Sequence, residues 1–329
     1  MSAESATGLT GQQVVSEVQR TTLESPLAEL VDEYNERIGI RGEYLWKWLE
    51  TSWPLVTLDC VPEDRRDTVS THKTVVSMYI TLVDDLGENF QDAESFHEAS
   101  KIPFDHAEAN PEREGVRTDY IRFLQKVWDT AEEMFEEADR EAEFRPLLEY
   151  DLRLGLMSMD YERLANDFPE MMNRTEMTHY TPHNMMMLAG ATIDLMYSPS
   201  FDRSELAAVR ETVYRSQQLV RISNWASTWE RELLEGDFTC PVFTEATSRG
   251  IVTHEELEAL RQGSPVVDPD RIASQIHDHG IEASLLKEWD ELYAGLMADI
   301  PEADSVDLMA YADEIKTIRK THMASKGHK

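Results

Sequence analysis

Cysteine is nearly absent. Cys60 and Cys240 are the only two, so a disulfide framework is excluded and a cysteine-based zinc site is not expected. The pair reads as reduced thiols in a cytoplasm. Basic residues are scarce too: 31 Lys and Arg stand against 64 Asp and Glu, a formal charge of −33. Such a surface repels phosphate backbones and anionic lipid, so no nucleic acid or membrane-surface partner is expected. No uncharged apolar run approaches the roughly 18 residues that a membrane span needs. Glycine and proline number only 14 and 13 in 329 residues, and alternating β-branched runs are almost missing, which argues against strands. There is no glycine-rich phosphate loop and no Ser-His-Asp arrangement.

What is present is helical periodicity. The hydrophobic fraction of 41% is ample for a large core. Leu27, Leu30, Val31, Tyr34 and Ile38 recur every three or four residues, as do Val69, Val76, Tyr79, Ile80 and Val83. The same spacing returns at Tyr120–Trp128, Leu147–Leu156 and Leu206–Trp225. The pattern predicts an all-α chain of about ten helices in one domain. One helix is expected over Thr68–Val83, and another from Ser204 to Glu235 with Gly236 as its stop. The first 24 residues are rich in Ser, Thr and Gln, lack the features of a signal peptide and read as a disordered arm. Residues 25–322 read as the helical domain and 323–329 as a flexible tail. The acids are spread along the whole chain, as suits a halophilic, high-salt cytoplasm where screening tames self-repulsion. That density also weakens any motif made of acids alone.

Two constellations could carry chemistry. The first is Asp84-Asp85-Leu86-Gly87-Glu88, directly after the apolar segment. On a helix Asp84 and Glu88 share a face one turn apart. Paired carboxylates of this kind are hard-oxygen ligands for Mg²⁺. Acids at a helix C-terminus oppose the macrodipole, which is unfavourable unless a cation is bound. The second is Asn224, Thr228 and Glu232, spaced four apart and so stacked along one helical face. Amide carbonyl, hydroxyl and carboxylate make a mixed oxygen set of low charge, suited to a Mg²⁺ that a substrate phosphate also holds. Arg231 stands beside Glu232 and could reach the same anion.

An acid box followed about 140 residues later by an Asn-x-x-x-Ser/Thr-x-x-x-Glu box resembles a class I terpene synthase. Leu233-Leu234-Glu235-Gly236-Asp237 is similar to that family's continuation. The resemblance implies the isoprenoid-synthase α-helical bundle over about residues 30–320. It implies a lyase in which three Mg²⁺ ions hold a linear prenyl diphosphate, C15 or C20, between the boxes. Asp84, Glu88 and, in a supporting role, Asp85 would serve the first ions; Asn224, Thr228 and Glu232 would hold the third. Arg231 would contact the diphosphate. The family's C-terminal Arg-Tyr pair is broken here, because Ala310 precedes Tyr311. Tyr311 is kept as a substrate contact, and Lys316, Arg319 or Lys320 is expected to replace the cation. The family's diphosphate-sensing Arg is also missing, since position 178 is Thr; Arg174 is the nearest arginine.

The run Thr178–Leu195 holds His179, His183, Asn184, three consecutive Met and Asp194. Pro182 breaks any helix between the two histidines, so a helix-break shaping a pocket is preferred over zinc. Trp46, Trp48, Trp53, Tyr79, Phe90, Tyr180, Trp225 and Trp229 are candidate walls for a hydrocarbon cavity. His277 and His279 read as exposed loop residues. Two other readings stay open. One is a prenyltransferase or squalene/phytoene-type synthase, which would carry two Asp-rich boxes. The other is a non-catalytic acidic interaction protein. A homodimer is left open as the assembly.

Overall fold

A computed structural model describes residues 11–328, and among these there is helix and no strand. In chain order the α-helices are α1 Gly11–Arg20, α2 Leu27–Arg37, α3 Glu43–Ser52, α4 Arg66–Gly87, α5 Ala93–Ala99, α6 Thr118–Phe135, α7 Glu141–Asp167 and α8 Arg174–Tyr180. Then come α9 Met187–Met196, α10 Leu206–Glu235, α11 Pro241–Ser248, α12 His254–Arg261, α13 Pro269–Asp278, α14 Ile281–Ala298, α15 Leu308–Asp313 and α16 Ile315–Ala324. This exceeds the ten expected because several short helices carry no long apolar period. Side-chain caps start them instead: Asp92, Asn173, Thr253, Asp268 and Asp307 each accept a backbone N–H from the first turn. No described helix is long and apolar enough to cross a membrane.

The architecture is built around α9, which is buried at every position from Met187 to Met196. It packs between α7 and α10, and α4 closes the layer from the other side. α4 is buried on nearly all sides, polar Ser70, His72, Lys73, Thr74 and Ser77 included. It runs four residues past the expected Val83, so Asp84 and Asp85 lie within its last turn. α10 spans 30 residues, and Gly236 ends it with φ +77°, the left-handed geometry that glycine adopts without a Cβ penalty. Thirty residues at 1.5 Å each carry it about 45 Å.

Both chain ends depart from the sequence expectation. Residues 11–20 of the expected disordered arm form α1; residues 1–10 lie outside the described residues. Val14 and Val18, one turn apart, are fully buried, and α1 packs against α3 and α16. A single two-valine stripe is too weak to make a helix alone; the groove between α3 and α16 supplies the missing partner. The expected tail is fastened as well. Met323 belongs to α16, and the buried Ser325 hydroxyl lies 2.8 Å from the Tyr44 hydroxyl. Lys326 reaches Glu230 at 3.0 Å, and His328 packs on the Tyr44 ring. Residue 329 lies outside the described residues.

One buried ion pair fixes α4 to α9. Lys73 Nζ lies 2.5 Å from Asp194 Oδ1, and both side chains are fully buried. Asp194 Oδ2 accepts the Leu58 backbone N–H at 3.0 Å, and Lys73 also donates to Thr57. The pair therefore ties two central helices to the segment between them. Lys73→Met leaves the buried Asp194 carboxyl without its cation, so that it must be held charged in the core or take up a proton, a loss of about 3–5 kcal/mol. Lys73→Met combined with Asp194→Asn keeps the acceptor for Leu58 and recovers most of that loss. Urea unfolding of the three proteins measures this; equal losses in the single and double variants would show that the charge is not what matters.

Candidate active site

Two helices bring the boxes together. Asp84 and Glu88 from the end of α4 and Asn224, Thr228 and Glu232 from α10 line one cavity of about 200 Å³. One turn earlier on each helix, Ile80 and Val220 line the same cavity. Both helices thus run from an apolar region toward a polar mouth and end there with their C-termini. Thr239 and Asp237, just after α10, complete the mouth.

Side chains from three more segments join the polar cluster. Glu162 of α7 places a carboxylate oxygen within 4.8 Å of those of Asp84 and Glu88. Asn184 Nδ2 bridges the set, donating to Glu162 at 2.9 Å and to Asp84 at 3.3 Å. Arg221, three residues before Asn224, is buried; it pairs with Glu162 and donates to Asn224 Oδ1 at 3.1 Å. Thr228 donates its hydroxyl proton to the Asn224 backbone carbonyl at 2.8 Å, which leaves its oxygen lone pairs toward the cavity. Arg41, from the loop between α2 and α3, stands at the mouth beside Glu88.

The acids are held close to neutrality. Burial pushes the Asp84 carboxyl up to about 7; Asp85 and Asp237 add repulsion, while Arg221 and Arg41 oppose it. Burial also pushes Glu232 up to about 7, again with Asp237 adding repulsion. Glu88 is raised well above its ordinary value by burial, then by Asp84, Asp237 and Glu232. Each group lies at or near the negative end of a helix, which adds to the cost of ionisation. Carboxylates this crowded are the donor chemistry of a hard divalent cation. Asp84, Glu88 and Glu162 on one wall, and Asn224, Thr228 and Glu232 on the other, fit such ions.

The remaining wall is mostly apolar, with Ser52, Ser77, Thr81 and His322 as its polar members. Trp48, Trp53 and Trp225 line it, with Leu45, Leu49, Val56 and Ile318. Trp53 is positioned by a 3.0 Å hydrogen bond from Nε1 to Ser77 Oγ. Gly190 makes room for it: a Cβ there would lie 2.6 Å from the ring. The expected helix-break also faces this space. α8 gives way to a 3₁₀ turn, Thr181–Met185, and Met186 takes φ +55° before α9 begins. Asn184, Met185, Met186 and Met187 then line the cavity. The two histidines do not meet: His179 is exposed on Thr175, while His183 faces Gln217 and Tyr214.

Several expected site residues lie elsewhere. Asp85 is one position from Asp84 and therefore 100° around the helix. Its buried carboxylate takes the Arg41 guanidinium and the Asn89 amide and does not line the cavity. Arg174 pairs with Glu288 on another face. Arg319 is on the outer side of α16, 2.5 Å from Asp290 and stacked over Trp289. Lys316 turns to Asp313. Tyr311 is buried in the core and is not a cavity residue. Ile318 and His322 are the α16 residues that face the cavity. Among the aromatics, Trp46, Tyr79 and Trp229 are core, and Phe90 and Tyr180 pack against Tyr120 and Tyr161. Arg231 does line the mouth, held by Glu235 at 2.5 Å. His277 sits at the end of α13, 2.7 Å from Glu230.

Sequence reasoning missed Arg221, Arg41, Asp237 and His322 as cavity residues, and Glu162 as the buried acid behind them. Only Arg221 carried a signal: at i−3 from Asn224 it shares the face of the second box. No protein-family model matches the sequence, and no curated protein matches it either.

The raised carboxyls set a pH dependence. Between about pH 7 and 4 the folded protein holds protons at Asp84 and Glu232 that the unfolded chain has released. With divalent ions chelated, stability therefore rises as pH falls through 7, and the penalty is full above 7. Asp84→Asn removes one penalty. Its thermal midpoint should exceed that of the parent protein at pH 8, with the gain shrinking below pH 7. A gain of equal size at pH 8 and pH 4 would show that the carboxyl is not held near neutrality.

Proposed function

We propose that this protein is a Mg²⁺-dependent class I terpene synthase that ionises a linear prenyl diphosphate, C15 or C20, to a terpene and inorganic diphosphate. The observation that carries the reading is the convergence of Asp84 and Glu88 with Asn224, Thr228 and Glu232 at the mouth of one otherwise mostly apolar, aromatic cavity. An acidic interaction protein has no need of an internal apolar chamber with unneutralised carboxylates at its entrance. The mixed Asn/Thr/Glu set favours a lyase over a chain-elongating or head-to-head synthase, which would present Asp-rich boxes on both walls.

The residues divide the work by chemistry. Asp84, Glu88 and Glu162 would hold ions on one wall, and Asn224, Thr228 and Glu232 on the other. Bound there, Mg²⁺ would neutralise charge developing on the leaving diphosphate. Arg231 adds a charge-assisted contact at the mouth. The apolar wall keeps water from the allylic cation and folds the hydrocarbon chain. The faces of Trp48, Trp53 and Trp225 stabilise the cation, each by on the order of 2 kcal/mol when desolvated. No side-chain nucleophile is required, and the acids serve the ions and do not form a general acid–base pair.

Incubation with C10, C15 and C20 diphosphates, with and without Mg²⁺, tests this by diphosphate release and product analysis. Release should require Mg²⁺ and be fastest with one of the longer chains. Asn224→Ala and Glu232→Gln should each lower turnover by at least about 100-fold while leaving the far-UV helical signal unchanged. Wild-type rates in either variant would remove the second box from the mechanism.

A further inference from the structure

We propose that Arg41, aimed by Asp85, is a second cation, beside Arg231, that anchors a diphosphate group at the cavity mouth. This rests on the functional reading above, since it assigns an anion contact of that site to the N-terminal loop. The mouth has three arginines. Arg221 is committed through Nη2 to Glu162 and through Nη1 to Asn224. Arg231 donates to Glu235 through Nη1 only, and its Nε is buried with no hydrogen-bond partner, so it too keeps a donor for an anion. Arg41 uses one edge only: Nε at 3.0 Å and Nη2 at 2.5 Å both donate to Asp85 Oδ1. No hydrogen bond is recorded for its Nη1 among the described residues, and its side chain keeps 15% exposure where it lines the cavity.

The geometry of this pair is informative. A guanidinium and a carboxylate are best joined fork to fork, with two oxygens taking two nitrogens. Here both nitrogens share one oxygen, and the buried Asp85 Oδ2 has no hydrogen-bond partner. The stronger arrangement is forgone, and the outer edge of the guanidinium is left toward the cavity. A planar guanidinium edge matches phosphate oxygens.

The position is also built from the backbone side. Gly39 turns the loop with φ +62°. The fully buried Tyr34 hydroxyl then accepts the backbone N–H groups of Ile40 at 3.1 Å and Arg41 at 2.6 Å. Tyr34 is itself wedged against Trp46 and Phe123. Backbone and side chain of Arg41 are therefore each fixed by a buried group, so little ordering remains when an anion arrives. With a long-range field of −33 against any anion, such a local cation counts for more. Asp85 is a positioning residue in this arrangement and touches no substrate.

The test is calorimetric titration of the full chain with inorganic diphosphate at saturating Mg²⁺. Arg41→Gln with Asp85→Asn replaces the ion pair by a neutral hydrogen-bonding pair and removes the cation without stranding a buried charge. It should keep the far-UV signal and bind diphosphate at least about 10-fold more weakly. Asp85→Asn alone leaves Arg41 without its partner and should lower the thermal midpoint, and in protein that keeps its far-UV signal it should weaken diphosphate binding about threefold. If the double variant does not fold, Arg41→Lys decides. Its single ammonium is consumed by Asp85 and should lose most of the affinity. A folded double variant, or Arg41→Lys, with affinity within about twofold of wild type overturns the assignment. Absence of diphosphate binding by the wild type overturns the functional reading, and this inference with it.

Discussion

The constraint on which the site depends is that two buried helices end at the same place with acids on their last turns. Asp84, Glu88 and Glu232 are only partly exposed to water there, and each meets the negative end of a helix dipole. Among the described residues three arginines reach the mouth, and each already has a carboxylate partner: Arg221 with Glu162, Arg231 with Glu235 and Arg41 with Asp85. The bundle therefore holds an electrostatic debt at one point of its interior. Its neighbours are arranged around that debt: Asn184 bridges two acids, Arg221 neutralises Glu162, and Asp85 faces away from the cluster to hold Arg41.

The rest of the fold supplies rigidity to this cluster. The Lys73–Asp194 pair ties α4 to α9, and the α9 layer in turn sets the distance between α4 and α10. The chain ends close the cavity from the other side. α3 contributes Leu45, Trp48 and Leu49, and α16 contributes Ile318 and His322, with α1 packed over both helices. The termini are thus part of the cavity wall, which explains why segments of low intrinsic helix strength are nonetheless helical.

Much of this was legible from residue spacing and some was not. The 3.6-residue period located α4 and α10, and the four-residue spacing of Asn224, Thr228 and Glu232 located one wall of the site. The proline at 182 located the break. What stayed hidden depends on helix phase or on partners distant in sequence. Arg319 looked like an anion-binding residue, yet Ile315 and Ile318 set the buried face of α16 and turn Arg319 outward to Asp290. Glu162 was one acid among 64, and only its pairing with Arg221 distinguishes it. Val14 and Val18 are too short a stripe to reveal a helix whose partner groove forms only on folding. Asp85 adjoins Asp84 in sequence, but one residue of helix rotation gives it a different partner and a different role.

The acidity of this chain has two parts that respond to different cations. Between acids on the outer surface the repulsion runs through water, where mobile monovalent ions screen it. The acids at the mouth are separated by only a few ångströms in a medium of low dielectric, where mobile salt does not screen. Their repulsion is relieved by a proton, by an adjacent guanidinium or by a cation bound among them. Arginine is present in too small a number for the second, and at neutral pH the first is incomplete because Asp84 and Glu232 titrate near 7. The third means of relief is a divalent ion with oxygen ligands on both walls. On the proposed function, an anion entering this mouth would bring more negative charge to acids already in excess, so its binding and that of divalent ions would favour one another.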